Sequence, residues 1–334
     1  MVSGSEHPRV THFNDCAFVG RALVGAAARA GLTWKYVGPE AVRPAAGFRG
    51  GSHLPGELPY ILRHERVALT SDVVHVHYAT SVPLLQKPYI PKRPYVLHLH
   101  GTDIRRQWKA PETHDLIQRA IDGASAVYYP NLDTAEAATT ARPDAVHMPI
   151  IVDTGILPAW RPSSESGSPT VLFVSRWDDS KGVENQLAVA HALRAALPQD
   201  ARLLGLDWGP GAPAAAEAGV ELVPRRSHDR FLDLIAGADV AVAQSSGVLA
   251  TSELEAMAIG PAVLVPVPSI ADDGDPAPVL TGTVDEVVEQ TMDVLRDPRA
   301  ASVALGGRAW VEKKHTGDRW VAELERVYRA AATR

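Results

Sequence analysis

Arg176 and Lys181 stand five positions apart in VLFVSRWDDSKGVENQLAVAHAL, between an apolar run and a helical pattern that begins near Gly182. Two cations beside a helix N-terminus make an anion site, because free backbone N–H groups and the helix dipole act in the same direction. A diphosphate suits such a pocket. A solvated loop, with the two cations paired to Asp178 and Asp179, suits the same residues equally. A second candidate is SSGVLATSELEAMAIG (245–260). Ser252 and Glu255 have the S-x-x-E spacing of a capping box, which turns the carboxylate back onto the Ser252 N–H. Left free, the same carboxylate can hold the vicinal diol of a ribose through two charge-assisted hydrogen bonds.

The first half of the chain carries histidines at strand spacing. His75 and His77 in DVVHVH share one strand face, as do His98 and His100 in YVLHLH, since side chains alternate with period two. HLHGTD departs from the HxHxDH zinc signature at Thr102 and Asp103. Zinc needs three or four ligands, and only His98, His100 and Asp103 are local. A buried, hydrogen-bonded histidine pair is therefore expected in preference to a metal site. His100 closes its strand, where an imidazole can donate to a sugar hydroxyl or a phosphate oxygen. Gly101 after it lets a ligand approach the backbone closely. LGLDWGPGAP (204–213) lacks the dinucleotide-binding spacing and reads as a loop.

These residues need strands and helices to place them. Arg9–Asn14, Trp34–Val37, Asp72–His77, Tyr95–His100, Ala124–Tyr129 and Ala145–Met148 read as strands. Val19–Ala30, Pro111–Ile121 and Asp133–Thr140 read as helices, and residues 38–58 as a long Gly/Pro loop. After a Pro/Ser/Gly linker at 156–168 a second series begins, with strands at Thr170–Ser175, Ala201–Leu206, Val220–Val223, Val240–Ala243 and Ala262–Val267. Helices are expected at Val183–Leu197, Asp229–Ala236, Glu253–Ile259, Thr283–Arg296 and Arg308–Ala332. Strands alternating with helices predict an α/β protein with parallel sheets covered on both faces. Two series predict two Rossmann-like domains facing a cleft, with ligands at the carboxyl ends of the strands.

Composition agrees with that class. The 334 residues are 46% hydrophobic and 22% charged, as in soluble globular proteins, and long enough for two domains. No apolar run reaches the roughly 18 residues that span a bilayer, and MVSGSEHPRV is unlike a signal peptide. A net charge of −6 removes the electrostatic case for nucleic acid. Residues 1–155 hold 16 Lys/Arg against 14 Asp/Glu and the rest 17 against 25, so an acidic partner would suit the first half better. A single cysteine, Cys16, excludes an internal disulfide and a cysteine zinc cluster. A cytoplasmic enzyme or binding protein is expected.

In order along the chain, the pieces resemble the retaining GT-B glycosyltransferases of glycosyltransferase family 4. The resemblance is carried by SDVVHVHY, VLHLHGTDIR, MPIIVDT, the Arg176–Lys181 segment and SELEAMAIGPAVLV, then by TGDRWVAELERVYRAA as a closing helix that crosses back to the N-terminal domain. It implies an acceptor-binding domain over 1–155 with helix 315–334, and a donor domain over 156–314. It also implies transfer of a sugar from a nucleoside-diphosphate sugar to an acceptor hydroxyl, with no metal and no other cofactor. Arg176 and Lys181 would neutralise the leaving diphosphate, Glu255 would bind the ribose, and His100 would contact the transferring sugar. Ser246, Gly247, Thr251 and Ser252 would line the donor, and Arg225, in the turn Pro224–Ser227, would lie near the base. Asp15 and Gly20 on the loop after the first strand, with Asp103, would approach phosphates or acceptor. One position departs: the family pattern has a glutamate eight residues before Glu255, where this chain has Gly247. That leaves open a different or bulkier donor sugar, an epimerase-like enzyme, or a nucleotide-sugar binder without turnover.

Overall fold

The computed structural model describes residues 7–15, 17–165 and 167–333, so Cys16 lies outside the described residues. The chain divides into two compact units, Met1–Asp153 with Thr316–Arg334, and Thr154–His315.

In the first unit the strands are β1 (Val10–Phe13), β2 (Lys35–Val37), β3 (Val73–His77), β4 (Tyr95–His98), β5 (Val127–Tyr129) and β6 (Val146–His147). They form one parallel sheet in the order β2-β1-β3-β4-β5-β6. Both faces of such a sheet are buried, which calls for near-continuous apolar strands. One face obeys: Phe13, Val74, Val76, Tyr95, Leu97 and Val127 form an apolar core. The other interleaves Val10, Val73 and Val96 with histidines. Register sets His12 beside His75 and His77 beside His98. Helices α1 (Val19–Arg29) and α7 (Asp318–Ala332) cover this face, with Leu23, Trp320, Leu324 and Tyr328 buried. Each such fully buried apolar side chain stabilises by roughly 1.5–3 kcal/mol, so α7 is part of this unit's core.

The loop expected over 38–58 is partly a helix. Helix α2 (Leu54–Thr70) runs for 17 residues, with a proline in its first turn and Pro59 inside. Its leucines misdirect a periodicity argument: Leu54, Leu58, Leu62 and Leu69 are exposed, while Glu57, His64, Val67 and Ala68 face inward.

The second unit holds β7 (Thr170–Phe173), β8 (Arg202–Asp207), β9 (Glu221–Pro224), β10 (Val240–Val242), β11 (Ala262–Val265) and β12 (Leu280–Thr281), again parallel, in the order β12-β11-β10-β7-β8-β9. Helices α4 (Val183–Ala196), α5 (His228–Ala236) and α6 (Thr251–Ile259) follow β7, β9 and β10, and α3 (Pro111–Asp122) belongs to the first unit. The expected helix at 308–332 is broken between Lys314 and Asp318, and only α7 joins the first unit. Part of the expected linker, 160–164, is tied down. Trp160 donates to the Ala238 carbonyl at 2.8 Å, and Ser163 and Ser164 donate to the buried carboxylate of Asp239. Among the described residues no helix is long and apolar enough to cross a membrane.

Candidate functional site

At the carboxyl end of β7 the chain turns through Ser175, Arg176 and Trp177 before entering α4. The Ser175 hydroxyl accepts from the Gln186 amide at 2.5 Å, tying the strand end to the helix. Gly182 has φ of +71°, and a Cβ there would lie 2.8 Å from the Ser245 carbonyl oxygen. The Ser245 N–H in turn donates to the Lys181 carbonyl at 2.9 Å. The loops after β7 and β10 are thus laced together by backbone, with Arg176, Lys181 and Ser245 on one patch. Arg176 lies 3.7 Å from Asp178, so the pairing weighed from sequence does form. With side chains 38% and 30% exposed, however, the pair is worth about 0–1 kcal/mol, and an entering anion can displace it.

Three buried polar atoms on these two loops have no hydrogen-bond partner among the described residues: Arg176 Nε, Gln244 Oε1 and Ser245 Oγ. Each such atom costs roughly 1–3 kcal/mol, and folded proteins keep few of them. The histidine face of the first unit carries the same number, at His75 Nε2 and both ring nitrogens of His98.

Trp177 anchors the loop. It is fully buried, its indole donates to the Leu206 carbonyl at 3.0 Å, and its own carbonyl accepts from Gly211 at 3.0 Å. LGLDWGPGAP, expected to be only a loop, supplies the end of β8 and the backbone that clasps Trp177. A Cβ at Gly209, φ +111°, would come within 2.2 Å of the Trp177 oxygen. Its Trp208 is 38% exposed, with the Arg225 guanidinium 4.5 Å and that of Arg176 5.7 Å from the ring centre. Trp208 therefore draws two of the expected donor residues together, and nothing in its sequence spacing announced it.

The capping expectation for SSGVLATSELEAMAIG needs correction. Helix α6 starts at Thr251 with Ala250 as its cap residue, so the acid three positions on is Glu253. Glu253 is buried and accepts from Ala250 N–H at 2.9 Å, Ser252 Oγ at 3.0 Å and Gln244 N–H at 3.2 Å. Glu255 is left clear of that work. It is 4% exposed, with its Oε1 2.7 Å from His228 Nε2 at the start of α5. His228 is a partner the sequence gave no reason to select. Ser246, Gly247, Thr251 and Ser252 follow on the same loop and helix start. Gly247 has φ of +77°, and a Cβ there would meet nothing within 4 Å.

In the first unit His100 sits half-buried just past β4, its Nε2 3.0 Å from His77 Nδ1. His77 Nε2 lies 3.1 Å from His12 Nδ1, and neither ring nitrogen of His98 has a hydrogen bond among the described residues. Burial holds His12 down to about 3 and His100 to about 4, and pushes His75, His77 and His98 well below the ordinary imidazole value. All five rings are neutral at pH 7.

Two triplets, His12/His75/His77 and Asp15/His77/His100, bring ligand atoms within 4.8 Å of one another. The first stacks His75 on His77 with planes 11° apart, so their in-plane lone pairs run parallel rather than converging on one ion. The second spends the His77–His100 edge on a 3.0 Å hydrogen bond. The candidate set His98/His100/Asp103 does not assemble. Asp103 is buried, and its carboxylate accepts from the N–H groups of His100 at 2.9 Å, Ile104 at 3.0 Å and Ala79 at 3.2 Å. Desolvation nonetheless pushes it up to about 6. The Asp103 carboxylate therefore clamps a loop. Asp15 is likewise buried, raised by desolvation, and takes the N–H of Arg21 at 2.9 Å. Gly20 is buried against His77, where a Cβ would lie 2.6 Å from Nε2. These three residues support the strand end and do not line an open surface.

No family model matches the chain, and no curated protein does. Solved structures do. Sucrose-phosphate synthase from Thermosynechococcus elongatus superposes with a TM-score of 0.65 at 16% identity, over 96% of this chain and 98% of that one. HepE from Anabaena, in complex with UDP and glucose, gives 0.63 at 14%, over 97% and 100%. A UDP-forming α,α-trehalose-phosphate synthase from Burkholderia xenovorans gives 0.60 at 13%, over 97% and 99%. These neighbours are GT-B glycosyltransferases. The agreement covers 96% and 97% of the chain with the first two, and the chain therefore has the GT-B fold, each of its two units being Rossmann-like.

Proposed function

We propose that the protein is a retaining glycosyltransferase, of the family 4 type, that moves a sugar from a nucleoside-diphosphate sugar to an acceptor hydroxyl without a metal ion or other cofactor. The observation that carries this is the laced pair of loops after β7 and β10. It presents Arg176, Lys181 and unmatched polar atoms at strand ends, beside a Glu255 that capping does not consume. In this reading Arg176 and Lys181 take up the charge that develops on the departing diphosphate, the work a divalent ion does elsewhere. Glu255 holds the ribose diol, Arg225 and Trp208 lie by the base, and His100 meets the transferring sugar. The anomeric carbon–oxygen bond to phosphate breaks while the acceptor oxygen bonds to the same face of that carbon. The acceptor proton passes to the leaving phosphate oxygen, so no enzyme nucleophile is required. The protein works in the cytoplasm.

Gly247 supports an unusual donor as a second layer of the reading. Open space around a left-handed glycine, where the family pattern has an acid, leaves room for a larger or differently substituted sugar. HepE, solved in complex with UDP-glucose, and the UDP-forming trehalose-phosphate synthase make UDP-sugars the first donors to try. The test is a thermal-shift panel of UDP, GDP, ADP and dTDP and their sugars, followed by product analysis with and without acceptor alcohols. A shift with one diphosphate and glycoside formed only with acceptor is expected. No shift with any of them sinks the proposal. A new sugar nucleotide formed without acceptor would reassign the chain as an epimerase, and binding without turnover as a non-catalytic binder.

A further inference from the structure

Strand β1 contributes His12, β3 contributes His77, and His100 follows β4; their rings form a chain of edge contacts that begins on α7. Tyr328 Oη lies 3.4 Å from His12 Nε2, His12 Nδ1 lies 3.1 Å from His77 Nε2, and His77 Nδ1 lies 3.0 Å from His100 Nε2. Tyr328, His12 and His77 are completely buried. We infer that the Tyr328 hydroxyl sets the tautomer of His100 through His12 and His77, making these three residues positioning groups for His100.

A neutral imidazole has one N–H and one lone pair. In a row of such rings every contact needs one proton, so all the protons must point the same way. A single ring out of step sets two N–H groups, or two lone pairs, against each other in a dry interior, at the cost of unmatched buried polar atoms. The direction is therefore chosen at an end. Tyr328 has one hydroxyl proton and two candidate partners, His75 Nδ1 at 2.5 Å and His12 Nε2 at 3.4 Å. The shorter contact is within reach of an O–H donor and the longer one is long for a donor of either kind, so the single hydroxyl proton goes to His75 and only the oxygen lone pairs are left to face His12. Tyr328 thus donates to His75 and accepts from His12 Nε2–H. His12 Nδ1 must then accept from His77 Nε2–H, and His77 Nδ1 from His100 Nε2–H. His100 Nδ1 is left as a bare lone pair on a half-buried ring, with no hydrogen bond among the described residues. Asp15 does not intercept the chain at His77, because its Oδ1 is 4.0 Å from His77 Nδ1 and takes the Ala17 N–H, while its Oδ2 takes the Arg21 N–H.

The consequence for the reaction rests on the glycosyltransferase reading: in this tautomer His100 accepts a hydrogen bond from a sugar hydroxyl, whereas the reverse tautomer would donate one to an oxygen. The proton positions do not depend on that reading, and they can be measured without turnover.

The test is long-range 15N–1H correlation on protein labelled with 15N-histidine at pH 7, with His100 identified by the signal lost in His100→Asn. Wild type is expected to show Nε2–H at His12, His77 and His100. Tyr328→Phe removes the only acceptor for His12 Nε2–H among the described residues, so the row reverses and all three become Nδ1–H. His12→Phe ends the row one link earlier, and His77 and His100 reverse in the same way, which decides the matter if the tyrosine variant does not fold. An Nδ1–H on His100 in wild type, or Nε2–H retained there in either folded variant, overturns the inference. A side chain that only packs would leave the tautomers unchanged.

Discussion

The two polar clusters of this protein answer the cost of burying polar groups in opposite ways. In the first unit the histidines are set into a sheet face, closed in by α1 and α7, and mostly matched by one another. In the second, Arg176, Gln244 and Ser245 lie past the ends of strands, on loops that leave one polar atom of each unmatched among the described residues. A group within the face can persist only by staying neutral. One at a strand end can keep its charge and be matched by a ligand. Position relative to the sheet, more than residue type, thus separates support from contact, and His100, one residue beyond the buried row, stands at the border.

Acid strikes the first cluster hardest. The five histidines have folded-state pKa values depressed by burial, while the unfolded chain protonates them near 6.5. Below about pH 6.5 the unfolded state therefore binds more protons. Stability is complete above that pH and falls as pH drops toward the folded values, by up to about 1.4 kcal/mol per pH unit for each histidine. Asp15 and Asp103, both raised, act in the opposite sense and offset part of the loss. The urea midpoint should fall steeply between about pH 6.5 and 5. A flat midpoint would break the contrast, since it would mean that the rings are not held neutral.

The second cluster should respond in rate and not in folding. Arg176→Ala or Lys181→Ala is expected to cut turnover by about 10²–10³ and to move the thermal midpoint by no more than about 2 °C. Wild-type kcat in either variant would remove the diphosphate role. The smallest and sharpest comparison is between two glutamates on one helix turn. Glu253→Gln should cost about 1–3 kcal/mol in unfolding free energy and leave donor affinity nearly unchanged. Glu255→Gln should weaken donor binding by about tenfold with little change in unfolding. If calorimetry finds the reverse pattern, the two roles are exchanged.

Much of this was readable beforehand because parallel sheets write themselves as β-branched runs. DVVHVH, YVLHLH and ADVAVAQSS sit where expected, and the strand-end logic led to Arg176, Lys181 and Glu255. What escaped had physical causes. Helix α2 hides behind Pro55, Pro59 and leucines that face outward, so its pattern points the wrong way. The capping acid was misplaced because Ser252 is the better cap by type, yet the chain starts the helix one residue before it. His12, His228 and Trp208 are partners by tertiary proximity, which spacing along a sequence does not encode.

Tyr328 also bears on the order in which the protein can be finished. Synthesis proceeds from the N-terminus, so residues 154–315 of the second unit are made before α7, and the first unit must wait for α7 to seal its histidine face. Until Trp320, Leu324 and Tyr328 arrive, that face is wet, its rings are free to take up protons, and the row of hydrogen bonds has no fixed end. The unit whose strands are made first is thus the later of the two to be closed, and its histidine face depends on a helix that is made only after the whole of the second unit.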